Sequence, residues 1–257
     1  MKAAILAGGL GTRLSEVTER IPKPMVDIGG KPILWHIMKG YAAYGVTEFI
    51  LALGHKGDLI KDYFLNYRIH HSSMVVSLKT GKATVRNSHC EDWTVHLLDT
   101  GEDAMTGGRV KRVMQYAGKE PLLLTYGDGV SSVDVKRLLK FHKDHDKTAT
   151  VTAVRPPARF GGLQFNGDLI ERFTEKPQIG EGWVNGGFFV LEPEVADYIE
   201  GDQTFFEREP LETLAKEGEL AAYKHEGFWQ CMDTLRDVRL LETLWEKGRA
   251  PWKTWQD

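Results

Sequence analysis

Apolar residues recur along this chain with two different spacings, and the spacings take turns. Ala3 to Ala7 is a short unbroken apolar run, the pattern of a strand covered on both faces. After Lys31 the spacing changes. Ile33, Leu34, Ile37, Met38 and Tyr41 repeat at intervals of three and four, which predicts a helix with one buried face. Pro32 sits near its start and Gly45 is placed to end it. Phe49 to Leu53 reads as a second strand, and Leu59, Ile60, Tyr63, Phe64 and Tyr67 as a second helix. The same alternation predicts a helix near Arg109 to Ala117, a buried strand over Leu122 to Tyr126, a helix from Val135, a strand over Thr148 to Val154, and a last helix carrying Val238, Leu241 and Trp245. Strands that alternate with helices predict an α/β fold with a mostly parallel central sheet flanked by helices.

Two stretches interrupt this rhythm. Between 69 and 99, the β-rich runs Met74 to Leu78 and Thr94 to Leu98 flank a polar stretch from Gly81 to Asp92. That is too long for a plain crossover loop and predicts an insertion forming a flap or a subunit contact. Farther on, Gly162 to Phe165, Leu169 to Thr174 and Gly186 to Leu191 read as hairpin-like elements. There is no internal repeat, low-complexity tract or clear linker, so one domain is the simplest organisation.

Composition narrows the function classes. A chain of 257 residues with 42% hydrophobic content can bury a sizeable core. A net charge of −3 argues against a general nucleic-acid binder. Cys90 and Cys231 are too far apart in sequence to suggest a zinc site or a disulfide framework. No run approaches the roughly 20 apolar residues that cross a bilayer. The N-terminus opens on a strand without a signal-peptide pattern, so a cytoplasmic, reduced setting with no membrane partner is expected. The nine histidines show no ligand spacing. His142 and His145 lie on a Lys-rich helix, where solvent exposure is expected. Trp245, Trp252 and Trp255 suggest packing or subunit contacts rather than a ligand cage.

The candidate chemistry starts where the first strand ends. Leu6, Ala7, Gly8, Gly9, Leu10, Gly11, Thr12 and Arg13 form a glycine-rich loop, and Lys23 follows between Pro22 and Pro24. Glycines let successive backbone N–H groups converge into a nest for phosphate oxygens, and two cations reinforce such a site. The loop lacks the Gly-Lys-Ser/Thr of a Walker A motif. It also lacks the third glycine of a dinucleotide fingerprint, because Leu14 stands there. Asp128, in Gly127-Asp128-Gly129, follows the buried strand over 122–126. Ligands of open α/β sheets bind outside such strand ends, and a carboxylate there suits magnesium, although Asp-Gly is also a common turn. Asp233 doubles as a helix start, since Thr234 and Asp237 resemble a capping box.

Leu6 to Arg13 followed by Pro22-Lys23-Pro24 resembles the signature of the sugar-1-phosphate nucleotidyltransferases. Ile33 to Met38, Met105-Thr106-Gly107-Gly108-Arg109, Tyr126 to Gly129 and Phe228 to Thr234 resemble the members that transfer a cytidylyl group to glucose 1-phosphate. The resemblance spans essentially the whole chain, with one departure: Cys231 stands where Pro is expected. It implies a Rossmann-like, GT-A-like fold over 1–257, with a nucleotide-binding half to about 130 and a β-rich sugar-phosphate half over about 131–240. It implies CTP and glucose 1-phosphate as substrates, Mg²⁺ as cofactor and a homo-oligomer. The thymidylyl- and uridylyl-transferring relatives and a non-catalytic nucleotide-sugar sensor are the alternatives. Catalytic roles fall on Arg13, Lys23 and Asp128, and metal binding on Asp128 and Asp233. Substrate contacts fall on residues 6–13, Lys23, Thr106, Arg109, Tyr126, Gly127, Asp128, Gly161, Asn185 and Asp233, with Glu175 at the sugar hydroxyls and Lys176 at the sugar phosphate. The whole scheme requires Asp128 and Asp233, at opposite ends of the chain, to approach closely enough to share one cation.

Overall fold

A computed structural model describes residues 1–256 except 10, 12–13, 15–17, 89, 157–161, 167–168 and 175–181; of 88, 162–166 and 170–174 it describes the backbone. In chain order the strands are β1 (Ala3–Leu6), β2 (Asp27–Ile28), β3 (Lys31–Pro32), β4 (Glu48–Leu53), β5 (Ser72–Val76), β6 (Ala83–Ser88), β7 (Thr94–Asp99), β8 (Leu122–Tyr126), β9 (Gly129–Ser131), β10 (Ala149–Val154), β11 (Gly162–Asn166), β12 (Leu169–Thr174), β13 (Val184–Leu191), β14 (Leu220–His225) and β15 (Trp229–Cys231). The helices are α1 (Ile33–Ala42), α2 (Gly57–Leu65), α3 (Tyr67–His70), α4 (Thr106–Ala117), α5 (Val135–His145), α6 (Glu209–Lys216) and α7 (Leu235–Glu246).

Seven strands form the central sheet in the order β14-β10-β13-β8-β1-β4-β7. All its neighbouring pairs are parallel except those made by β13, which runs antiparallel to both β8 and β10. The short apolar runs are explained by burial on both faces. Ala3, Ile5, Phe49, Leu51 and Leu123 point into one core, and Ala4, Leu6, Ile50, Ala52 and Leu124 into the other. Residues alternate sides along each strand, so two covered faces leave no polar position. Ile33, Leu34, Ile37, Met38 and Tyr41 of α1 close the first face, and Val110, Val113 and Met114 of α4 close the second. Strand order reverses at β1. The chain goes from β1 to β4 and β7 on one side and returns through α4 to β8 on the other. A crevice therefore opens at the carboxyl ends of β1 and β8.

Several expectations change. The run at 94–98 belongs to no flap: it is β7, the edge strand of the main sheet, parallel to β4. The polar stretch supplies a strand of its own, β6, which pairs with β5 in a separate hairpin. Its polarity hides it because both of its faces lack a core to meet. Residues 184–191 form a central strand rather than a peripheral hairpin, while β11 and β12 do pair as one. His142 is buried rather than exposed. It hydrogen-bonds Thr150 Oγ1 at 2.8 Å and Glu192 Oε1 at 3.0 Å. These partners meet both ring nitrogens, which is what makes an imidazole tolerable inside. Among the described residues no helix is long and apolar enough to cross a membrane.

The tryptophans pack, as expected, and what they pack around is a histidine. His36 on α1 is 1% exposed and lies edge-on to Trp35 and Trp245, with ring centroids 5.2 and 4.6 Å away. Its Nε2 meets the Ile28 carbonyl at 2.7 Å, and Trp252 Nε1 donates to its Nδ1 at 3.4 Å. A neutral ring with its proton on Nε2 satisfies both contacts. Burial drives the ring's pKa down to about 4, against smaller upward pulls from backbone carbonyls. Below pH ~6.5 the unfolded chain takes up a proton that the folded chain refuses until about pH 4. The His36 contribution is therefore complete above pH ~6.5 and is lost as pH falls through that window, by up to about 3 kcal/mol. Urea unfolding at pH 7.5 and 4.5 measures it. In His36→Gln the stability difference between the two pH values is expected to shrink.

A candidate active site at the sheet crevice

The glycine loop leaves β1 at the crevice. Ala7 N donates to the Ala52 carbonyl at 3.0 Å, and the Gly8 carbonyl accepts from His55 N at 3.3 Å and from Arg109 Nη2 at 3.1 Å. Any side chain at Gly8 would collide with the Arg109 guanidinium and come within 2.7 Å of Gly54 N. Gly8 thus serves close backbone packing, while Gly9 faces open space and lines the cleft. Leu10, Thr12 and Arg13 lie outside the described residues.

Lys23 opens a short 3₁₀ turn, Lys23–Met25, entered from the extended Pro22. Prolines on both sides limit the local backbone. Pro24 is buried against the end of β8: a Cβ on Gly127 would come within 2.9 Å of both Pro24 Cγ and the Leu6 carbonyl. Glycine at 127 is what allows Lys23 to sit beside Asp128.

The two acids do meet. Lys23 Nζ donates to Asp128 Oδ2 at 2.5 Å and to Asp233 Oδ1 at 2.7 Å. A small antiparallel ladder brings them together. β9 follows Asp128, β15 precedes Asp233, and Gly129 pairs with Cys231 and Val130 with Gln230. The Met232 amide then donates to the Asp128 carbonyl at 2.8 Å. Ladder bonds run through even-numbered positions of this strand, since Ser132 N also bonds the Phe228 carbonyl. Cys231 therefore occupies a position whose amide the ladder does not use, so Cys in place of Pro leaves the turn intact. Asp233 also stands at the entrance of α7, where Thr234 and Asp237 form the expected capping box and Asp237 accepts from Asp233 N at 3.1 Å. Its backbone belongs to the cap and its carboxylate to Lys23.

Electrostatics follow from this geometry. Burial lowers the Lys23 pKa, but the Asp128 and Asp233 carboxylates outweigh it and the net shift is upward. The ammonium stays charged. Cys231 Sγ donates to Asp233 Oδ2 at 3.5 Å, and burial, with Asp233 and Asp128 adding to it, pushes the thiol up to about 12. It is a donor at neutral pH.

Residues at the start of α4 sit differently from expectation. Arg109 lines the cleft wall but is 4% exposed. Its Nη1 and Nη2 reach the carbonyls of Leu53, Gly101, Gly8 and Glu102 and the Thr100 hydroxyl, all at 2.8–3.1 Å. Burial, then nearby Arg112, lowers its pKa. The guanidinium is a clamp between the glycine loop, β4 and the 100–102 turn. The Met105 and Gly107 amides donate to the carbonyls of Asp202 and Thr204, so these N-terminal donors of α4 are not free for an anion. Thr106 Oγ1 donates to Glu207 Oε2 at 2.6 Å, and Tyr126 Oη to Glu207 Oε1 at 2.6 Å. Burial, then Glu207, raises the Tyr126 phenol pKa. Asn185 Oδ1 accepts from Gly187 N at 2.8 Å.

Lys23, Asp128, Thr106, Arg109 and Tyr126 border one cleft of about 740 Å³, lined also by Leu6 to Gly9, Gly11, Pro24, Gly127, the 102–106 segment, Gln203 and Phe205; Asp233 and Asn185 are not among its lining residues. That volume suits a nucleotide-sized ligand. Gly161, Glu175 and Lys176 lie outside the described residues. Glu207, Gln203 and Phe205 were not foreseen. A Pro in the first turn of α6 was the available signal that a loop precedes it, but nothing in the spacing tied that loop to the crevice. Two carboxylates converging on a cation offer hard oxygen ligands. Among the described residues no cluster of three or more His, Cys, Asp or Glu is suited to a metal. The donor set fits magnesium, which commonly takes one or two carboxylates and completes its shell with phosphate oxygens and water.

Residues 2–247 match a family model described as nucleotidyl transferase. The chain is 55% identical over 257 residues to a glucose-1-phosphate cytidylyltransferase of Salmonella typhimurium, covering all of both chains. It is 47% identical to a probable glucose-1-phosphate cytidylyltransferase of Bacillus subtilis, covering 99% of this chain and 100% of that one. Among solved structures, HddC from Yersinia pseudotuberculosis superposes with a TM-score of 0.70 at 26% identity, covering 95% of this chain and 99% of that one.

Proposed function

The chain belongs to the nucleotidyl transferase family, and from that membership and the crevice geometry we infer that it transfers a cytidylyl group from CTP to glucose 1-phosphate, giving CDP-glucose and pyrophosphate. The observation that carries this reading is the meeting of Asp128 and Asp233 on Lys23 beside the glycine loop. Full-length identity to cytidylyltransferases supports the choice of base and sugar.

A phosphate oxygen of glucose 1-phosphate attacks the α-phosphorus of CTP in line, the α–β bridging P–O bond breaks, and pyrophosphate leaves. The nucleophile is already anionic, so no strong general base is needed. Catalysis reduces to holding two repelling anions in place and offsetting charge on the α-phosphate and leaving group. The 8–12 backbone and Arg13 hold the triphosphate, Lys23 faces the α-phosphate, and Lys176 anchors the sugar phosphate. Glu175 and Asn185 receive sugar hydroxyls, with Gly161 close to the hexose. Asp128 and Asp233 would hold magnesium, which would supply positive charge to offset the repulsion between the two phosphate groups.

The test is a matrix of CTP, UTP and dTTP against glucose 1-phosphate, with and without Mg²⁺, read as pyrophosphate release. Turnover is expected with CTP and only with the metal. Preference for UTP or dTTP moves the chain to another branch of the family. Nucleotide binding without turnover makes it a sensor.

A further inference from the structure

Lys23 Nζ stands where a cation between Asp128 and Asp233 has to stand. Its side chain is 12% exposed, and those of Asp233 and Asp128 are 13% and 29% exposed, so both ion pairs are largely shielded from water and salt. The acids are fixed from behind: the Asp128 carbonyl by the Met232 amide, and the Asp233 amide by Asp237. The lysine is the movable member, an ammonium on a flexible four-carbon stem. Magnesium binds carboxylate oxygens at about 2.0–2.1 Å. An ammonium on the same oxygens repels it at a distance where charge interactions are strongest.

We propose that Lys23 is a built-in counter-ion that occupies the acid pair until a polyphosphate draws its ammonium away, so that divalent metal and nucleotide enter the site together. The proposal rests on the reading of Asp128 and Asp233 as metal holders. A metal arriving alone must break two short ion pairs and leave an ammonium beside it without a partner. A metal arriving with the triphosphate finds Lys23 transferred to phosphate oxygens, which are also its own remaining ligands. The coupling is reciprocal: metal frees Lys23 for the nucleotide as the nucleotide frees the acids for metal.

The test needs no turnover. Mn²⁺ is titrated into the protein without nucleotide or sugar, and free Mn²⁺ is read by electron paramagnetic resonance. Lys23→Met is expected to bind Mn²⁺ roughly tenfold more tightly than the wild type or better, within the usual range of coupling between sites. Lys23→Arg, which keeps the charge, is expected to stay near the wild type. Lys23→Met binding Mn²⁺ no more tightly than wild type overturns the proposal, and so does a wild type that binds Mn²⁺ as tightly alone as with CTP present. Mn²⁺ binding unaffected by Asp233→Asn in every variant removes the metal-site reading itself. A role for Lys23 in packing alone predicts weaker, not tighter, metal binding in Lys23→Met.

Discussion

Asp128→Asn is expected to slow Mg²⁺-dependent pyrophosphate release from CTP and glucose 1-phosphate by on the order of 10²–10³-fold, the size seen when one preorganised charge-stabilising group is lost. The substitution keeps shape and removes charge. The backbone bond from Met232 to the Asp128 carbonyl is untouched, and Lys23 keeps Asp233 as a partner. Thermal unfolding should therefore shift little while kcat collapses. Asp233→Asn should behave alike, since its carboxylate shares the same ammonium. The double variant should be far less impaired than the product of the two losses, because groups that act as one unit fail as one. Asp128→Asn turning over within tenfold of the wild type would remove Asp128 from the chemistry. Losses that multiply in the double variant would mean that the two acids work separately.

The parts of this molecule that can be read from the sequence are those with local causes. Both faces of β1, β4 and β8 are covered, so their unbroken apolar runs identified them. α1 and α7 were visible because one face of each meets a core and because Pro32, Thr234 and Asp237 mark their starts. The glycine loop and Lys23 were visible because phosphate chemistry needs those residue types close together. Convergence is a different matter. Asp128 and Asp233 are joined by the β9–β15 ladder, whose strands span three residues each, too few for any period to show. Glu207 reaches Thr106 and Tyr126 across 101 and 81 positions, and no spacing rule records such a distance. Of the polar hairpin, the run overlapping β5 was visible, but β6 was hidden inside the polar stretch because it carries no buried face to set an alternation.

Arg109 is where the geometry adds a second role to the one the resemblance implied. The family resemblance placed Arg109 among the substrate contacts, and it does line the cleft, but its nitrogens end on carbonyls and a hydroxyl. Among the described residues no carboxylate lies within ion-pair distance of it. Arg109→Met is expected to remove the bonds that tie the Gly8 carbonyl to the 100–102 turn and to leave the part-buried Gly101 and Glu102 carbonyls without this donor, while the Leu53 and Gly8 carbonyls keep Thr100 and His55. Acceptors left unmet cost about 1–3 kcal/mol each before relaxation, so with two part-buried carbonyls losing their donor a total loss of about 2–4 kcal/mol is expected, at the upper end of ordinary single substitutions. For a chain of this length that corresponds to a fall in melting temperature of roughly 10 °C. Arg109→Lys should recover little, because one ammonium cannot span acceptors on both sides of the fork. Because the clamp holds the glycine loop, KM for CTP should rise in whatever fraction remains folded, with kcat changing less. Calorimetry and steady-state kinetics on the same preparation separate the two accounts. A melting temperature that drops with a raised KM fits the clamp. An unchanged melting temperature with lost nucleotide binding returns Arg109 to the ligand and makes its carbonyl cage incidental.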